Sequence, residues 1–357
     1  MAATMKEIAY MCGVSRGTVD RVLNNRGSVR DATAQRIRAV AESIGYTVPS
    51  SARAVPQGPR GQKIGVLVNA IGHQYFSEIL SGMMKALEGL SGQIAGVVKL
   101  SGGFDVDQQL RLLDELMAQG INALAITPAN SPRVAAKLRQ FTDRGIPVVV
   151  VSSLIDHFDY FSFVGCEHYL SGRIAGGFAR KLLPNGGKIA VLTGLHVMPG
   201  LNRRIAGFTD AVNTSSAPFE ILEPVQSCDD DVISYKGLTD LISRHDSIDL
   251  FFFGAGGYNG GYQALQDAGL LGKTFVIAFD TPDVSIAQLR SGNVAALFNQ
   301  HPVAQGRHAI KRLSDYLLYH QIPEKREQYE RVEILIDESF YSAREDDPGI
   351  NPSIDPE

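Results

Sequence analysis

Residues 4–24 read TMKEIAYMCGVSRGTVDRVLN, a stretch whose capping residues, glycines and apolar spacing define a short helical unit. Thr4 is placed to cap a helix with Glu7 three residues later, the spacing of a capping box. Ile8, Ala9 and Met11 give that helix one apolar side before Gly13 stops it. Val14-Ser15 restarts the chain, with Ser15 as N-cap and Val19, Val22 and Leu23 as the buried side of a second helix. A third helix is expected over 31–44, where Ala34, Ile37, Ala41 and Ile44 recur every three to four residues and Gly45 closes the end. Helix, glycine-containing turn, helix and supporting helix is the order of a helix-turn-helix unit.

Charge separates this head from the rest of the chain. The 357 residues carry a net charge of -4, yet residues 1–60 hold nine Lys/Arg against four acids, a balance of +5 that leaves -9 on the remainder. A basic head on an acidic body implies that only the head meets a polyanion. Between the two, residues 48–61 turn to Pro49, Ser50, Ser51, Pro56, Gly58, Pro59 and Gly61, the composition of a linker.

Beyond the linker, strand and helix patterns alternate. Strands are expected at 64–69, 94–100, 123–127, 148–151, 161–164, 188–192, 219–225, 250–253, 275–279 and 295–298, with helical patterns between most of them, among them 105–119 and 132–144. Such alternation predicts an α/β body with parallel sheets covered by helices on both faces, and about ten strands predict two sheets, hence two lobes with a cleft. The expected organisation is a helix-turn-helix domain over 1–48, a linker or hinge over 49–62, a two-lobed body over 63–343, and an acidic, Pro-rich disordered tail over 344–357.

Composition excludes several classes. Hydrophobic residues are 44% and charged residues 20%, an ordinary globular balance, and the apolar runs are strand-sized, too short to span a membrane. The first residues lack a signal-peptide core, so a cytoplasmic location is expected. Cys12, Cys166 and Cys228 are widely spaced and odd in number, which argues against a disulfide framework or a zinc site. The run from Gly269 to Thr274 resembles the end of a phosphate loop, but Asp267 stands where its first glycine belongs and the run precedes a strand instead of a helix. Gly254-Ala-Gly256-Gly257 follows a strand, yet Asn259 replaces the third glycine of a dinucleotide fingerprint. HExxH and GxSxG do not occur and the eight histidines are scattered. The expectation is a protein with no catalytic activity, no metal site and no cofactor.

The head closely resembles the DNA-binding domain of the LacI/GalR family of bacterial repressors. Thr4-Met-Lys-Glu-Ile-Ala9, the run from Cys12 to Asn24, Val29, Thr33 and Gly45-Tyr46 all stand at the family's spacing. The resemblance implies a second helix entering the major groove of double-stranded DNA by its N-terminal end, with positions 16, 17 and 21 as base readers. Arg16 and Arg21 are suited to bidentate contacts with guanine, Gly17 offers no side chain, and Ser15, Thr18 and Asn24 are short donors for phosphate. Asp20 replaces the usual serine. In the linker Ala52-Arg53-Ala54-Val55 has Val55 where the family has a minor-groove leucine, and Pro56 and Pro59 oppose extension of a hinge helix.

The remainder looks like the sugar-binding domain shared by these repressors and periplasmic ribose-type binding proteins, a type I two-lobed fold. By that resemblance the effector residues are Tyr75, Phe76, Asn130, Arg204, Asp280 and Gln300, all near strand C-terminal ends, where parallel sheets bind ligands. An aspartate accepting from adjacent hydroxyls, an arginine and a glutamine bridging others and an aromatic face suit a monosaccharide or polyol. Gly257-Tyr258 stands where relatives often carry Asn-Asp, and Ser152 where an Asp is frequent, which points to an altered sugar or a nucleoside. The expected function is a homodimeric repressor on a near-palindromic operator, controlled by a small effector between two lobes. The rival reading is a sugar- or nucleoside-binding or processing protein without a regulatory role.

Overall fold

The computed structural model describes residues 5–12, 14, 18–19, 22, 31–43, 61–71, 73–194 and 198–340. The chain divides into two units, Met1–Gln57 and Gly58–Glu357. In the first, helices Met5–Cys12 and Asp31–Ser43 are joined by helical residues at Thr18, Val19 and Val22. Ile8, Ala9, Cys12, Val19, Val22, Ala34, Ile37 and Ala41 form its buried core; Met11, expected on the apolar side of the first helix, is exposed, and Cys12 takes the inward position one residue on. Arg36 ties the third helix to the first by donating to the Cys12 carbonyl. The expected hinge segment at 52–55 and the acidic tail over 344–357 lie outside the described residues.

The second unit holds two open sheets. Strands β1 (Gln62–Ile71), β2 (Ile94–Gly102), β3 (Ala123–Ile126), β4 (Val148–Val151), β5 (Ser162–Cys166) and β12 (Glu327–Glu330) form one, in the order β2-β1-β3-β4-β5-β12, all parallel. Strands β6 (Gly187–Thr193), β7 (Phe219–Ile221), β9 (Leu250–Phe253), β10 (Phe275–Phe279), β11 (Ala296–Asn299) and β13 (Glu333–Leu335) form the other, with β8 (Val225–Gln226) also paired to β6. Among the described residues only β13 runs antiparallel. Strands such as Val148–Val151 and Leu250–Phe253 are buried at every position, because helices cover both faces of each sheet.

The helices start where the sequence supplies caps. Asp105, Ser131 and Asp230 accept from backbone N–H groups of the first turns of Val106–Ala118, Pro132–Thr142 and Asp231–Ser243. Two sequence expectations are corrected. The strand expected over 219–225 is two short strands, because Pro224 lacks an N–H and interrupts the ladder. Strands β12 and β13 were not expected: their sequences, EQYE and EIL, are short, charged edge strands without an apolar run.

The chain passes between lobes three times, at 166–168, 299–302 and 330–333, so β12 returns to the first lobe and β13 closes the second. Each lobe contains a close helix crossing built on a pair of glycines. A Cβ on Gly82 would overlap the Val303 carbonyl, and one on Gly306 the Ile79 carbonyl, where helices Gln74–Glu88 and Pro302–Tyr319 meet. Gly172 and Gly207 do the same for helices His168–Leu182 and Pro199–Asn213 against the Arg204 and Tyr169 carbonyls. Gly306→Ala is expected to cost about 1–3 kcal/mol of stability by overpacking. Gly177→Ala, in a helix interior with open space around it, is expected to stabilise by about 0.5–1 kcal/mol. Urea denaturation of the two variants checks both signs.

Candidate functional site

The parallel strands of both sheets point their C-terminal ends into the cleft, and the loops that follow them carry its side chains. After β1 come His73, Tyr75 and Phe76; after β4, Ser152; after β5, His168; after β8, Asp229; after β9, Gly254 to Tyr258; after β10, Asp280; after β11, Gln300. Ser152, Asp229 and Asp280 all have positive φ, at 66°, 55° and 61°. Non-glycine residues seldom adopt this conformation, so three of them in one cleft mark a site whose geometry is held by its surroundings.

Arg204 is at the centre. It is only 2% exposed, and its guanidinium lies 3.7 Å from the centroid of the Phe279 ring. Nη1 donates to the Gly254 carbonyl at 2.8 Å, and Nη2 reaches Gln300 Oε1 at 2.5 Å and His168 Nδ1 at 3.2 Å. Because Nδ1 accepts from a permanent cation, the His168 proton sits on Nε2, which donates to the Ser152 carbonyl at 3.2 Å. Ser152 Oγ meets the Tyr75 hydroxyl at 3.1 Å, and that hydroxyl reaches Gln305 Oε1 at 3.3 Å. Gln305 Nε2 donates to the Gln300 carbonyl at 2.9 Å, which closes a ring of polar contacts through both lobes. Gln300 Nε2 also donates to Asp280 Oδ1 at 2.6 Å, and the Tyr258 hydroxyl to Asp280 Oδ2 at 3.2 Å.

Burial and neighbouring charge set the protonation states. Burial, followed by the Arg204 charge, pushes His168 down to about 3. Burial raises the Asp280 carboxyl, against the pull of Arg204 and the Gln300 hydrogen bond. His73 lies 3.7 Å from Asp229, a contact between the two lobes. Burial alone would lower His73, but the hydrogen bond and charge of Asp229 outweigh it and raise the imidazole. Asp229 is correspondingly held below its usual range, since His73 and the Gly256 N–H outweigh its burial.

Tyr75, Phe76, Arg204, Asp280 and Gln300 therefore come together from segments up to 225 residues apart. Asn130 does not join them: its amide donates to Asp156 and accepts from the Asp156 N–H, fixing the loop after β3. His73, His168, Asp229 and Gln305 were not singled out from the sequence, although His73 stands just after the first strand, where a cleft residue is expected. In the head, Ser15, Arg16, Gly17, Arg21 and Asn24 lie outside the described residues; Thr18 is half-buried in the helical segment. Among the described residues no group of three or more His, Cys, Asp or Glu could hold a metal ion.

Two parallel sheets joined by three crossings, with a polar cleft at their strand ends, define a two-lobed binding protein. The chain belongs to the periplasmic binding protein domain family, whose model matches residues 64–320, and the model of bacterial regulatory proteins of the lacI family matches residues 4–49. It is 24% identical over 356 residues to the ribose operon repressor of Haemophilus influenzae, covering 96% of this chain and 100% of that one. It is 30% identical over 158 residues to the maltose regulon regulatory protein MalI of Escherichia coli, covering 44% and 45%. Among solved structures, a solute-binding protein of Burkholderia graminis in complex with D-arabinose has a TM-score of 0.74 at 17% identity, covering 79% of this chain and 98% of that one.

His168 is expected to stay neutral, with its proton on Nε2, as pH falls to about 5, since its folded value lies far below the usual one. Nitrogen chemical shifts of the labelled imidazoles check this: a ring assigned to His168 that takes up a proton near its ordinary value contradicts the Arg204 contact. Because the unfolded chain protonates His168 first, this residue destabilises the fold as pH drops below about 6.5.

Proposed function

We propose that the protein is a homodimeric transcriptional repressor of the cytoplasm. Its lacI-type head holds a near-palindromic operator, and a monosaccharide-like effector in the cleft controls that grip. One observation carries the reading: the chain that bears the lacI-type head also closes the Arg204, Gln300 and Asp280 network at the floor of a two-lobed cleft. The ribose operon repressor, aligned with this chain from end to end, supports a sugar as the starting point. Asp280 and Gln300 accept and donate to hydroxyls, Arg204 fixes their orientation, and the Phe76 ring covers the apolar side of a sugar. A ligand bridging the lobes favours one lobe angle over another, and a dimer turns that angle into a spacing between two heads. In the head we assign base reading to Arg16, Gly17 and Arg21 and phosphate contacts to Ser15, Thr18 and Asn24. The family is one of regulators and binding proteins, and binding without turnover is the proposed role.

Three measurements test this. The full chain, used in a binding-site selection, should recover an operator with two-fold symmetry, and Arg21→Ala should weaken it by about 1–3 kcal/mol and relax one base position in each half-site. A thermal-shift panel of D-ribose, D-allose, D-arabinose and other monosaccharides should yield a stabilising ligand that changes operator affinity. Asp280→Asn, chosen because asparagine tolerates the left-handed backbone there, should weaken that ligand by about 1.5–3 kcal/mol and leave effector-free operator binding intact. An Asp280→Asn protein with wild-type effector affinity overturns the cleft assignment at this residue.

A further inference from the structure

The cleft consists of two adjoining chambers, and their sizes differ enough to decide which one a ligand must use. The inner chamber, against Arg204, Gln300 and Phe76, measures about 50 Å³. The outer one measures about 320 Å³ and shares His73, Tyr75, Asp229, Gly256 and Asp280 with the inner. Small-molecule sites begin at roughly 300 Å³, so a ligand that touches Arg204 extends into the outer chamber. Arg204 marks the inner end as unfinished: this 2% exposed side chain has no partner for its Nε–H among the described residues.

The outer chamber is lined by Glu78, Asp229, Asp231, Asp280 and Asp283, and among the described residues no lysine or arginine lines it. The donors that meet these carboxylates are almost all neutral. Asp280 accepts from Gln300 and Tyr258, Asp231 from Asn259 and the Gly260 N–H, and Glu78 from Gln74. Two of the five feel a positive group: Asp229 faces His73 at 3.7 Å, and Asp280 feels the charges of Arg204 and His73. The field is felt inside the chamber, where Glu78 is raised by burial and then by Asp280 and Asp283. Asp231 and Asp283 are exposed and partly screened, and Asp229 and Asp280 are partly answered by His73 and Arg204, so Glu78 with Asp283 beside it holds the charge left unmet. A neutral sugar leaves this charge unmatched, and a sugar phosphate or sugar acid meets repulsion; an ammonium group answers it.

We propose that the effector is a monosaccharide or polyol bearing a protonated amine, its hydroxyls toward Arg204, Gln300 and Asp280 and its ammonium among the carboxylates of the outer chamber. This rests on the reading of the cleft as the effector site and narrows the ligand class. The test uses the full-length protein at neutral pH with matched sets: D-glucosamine, D-galactosamine, D-mannosamine and glucamine, each beside its neutral parent, and for the three sugars also beside the N-acetyl and phosphate forms. Thermal shift finds the binders and calorimetry ranks them. At least one amine is expected to bind about tenfold or more tightly than its parent, with the acetylated form falling to the parent's level and the phosphate giving no shift. In the double variant Glu78→Gln, Asp283→Asn the amine-to-parent ratio should fall roughly fivefold or more. The proposal is overturned when no amine stabilises the protein, when parent or phosphate equals the amine in every set, or when the double variant keeps the full ratio. A neutral sugar that binds and changes operator affinity under those outcomes leaves the repressor reading standing, whereas failure of every sugar, amine or not, in binding and in operator release removes both.

Discussion

The guanidinium of Arg204 is a full charge withdrawn from water, which costs several kcal/mol unless its donors and its field are answered. Much of the body is arranged to answer them. The Gly254 carbonyl, Gln300 and His168 take its protons, and the face of Phe279 takes its charge. Each of these groups lies at or just beyond a strand end, so the parallel topology is what makes the answer available. The helix that bears Arg204 can stand this close to its neighbour because Gly172, Gly176 and Gly207 have no side chains where the Arg204, Phe208 and Tyr169 carbonyls pass. Gly200 likewise leaves room for the His168 ring.

From that centre the contacts lead out through two of the three crossings. His168 begins the helix after the first crossing and touches Ser152 in the other lobe; Gln300 begins the second and is held by Gln305. The second and third crossings are also tied together, since His301 faces Glu333 at 3.6 Å, and His308 holds Glu330 at 2.7 Å. Within each lobe, by contrast, glycine crossings bring helix backbones into direct contact and leave little freedom. Stiff lobes joined by a few polar side chains are the arrangement in which a small ligand shifts an angle without deforming a core.

The alternation of strand and helix and most of the apolar faces of the head were legible because each depends on residues close in sequence. Val148–Val151 could be read as a buried strand from four valines, and the helix that begins at Pro132 from its periodic run. β12 and β13 were not legible, since neither has an apolar pattern and each is defined by the neighbour it finds in the fold. The cleft was half legible for the same reason. Asp280 and Gln300 stand conspicuously after apolar strands, but the role of His168 depends on Arg204, 36 residues away, and that of Gln305 on Tyr75, 230 residues away. Asn130 shows the reverse error, because its position after a strand is correct and its partner, Asp156, belongs to the loop.

Charge then separates the two tasks of the chain. The head's excess of basic residues attracts a phosphate backbone at any sequence, which leaves discrimination to whichever side chains reach base edges. The body's excess of acids repels the same backbone, and in the proposed effector cleft low-dielectric walls concentrate the field of the carboxylates. For the proposed amine-bearing effector, that sign favours the ligand and disfavours anions.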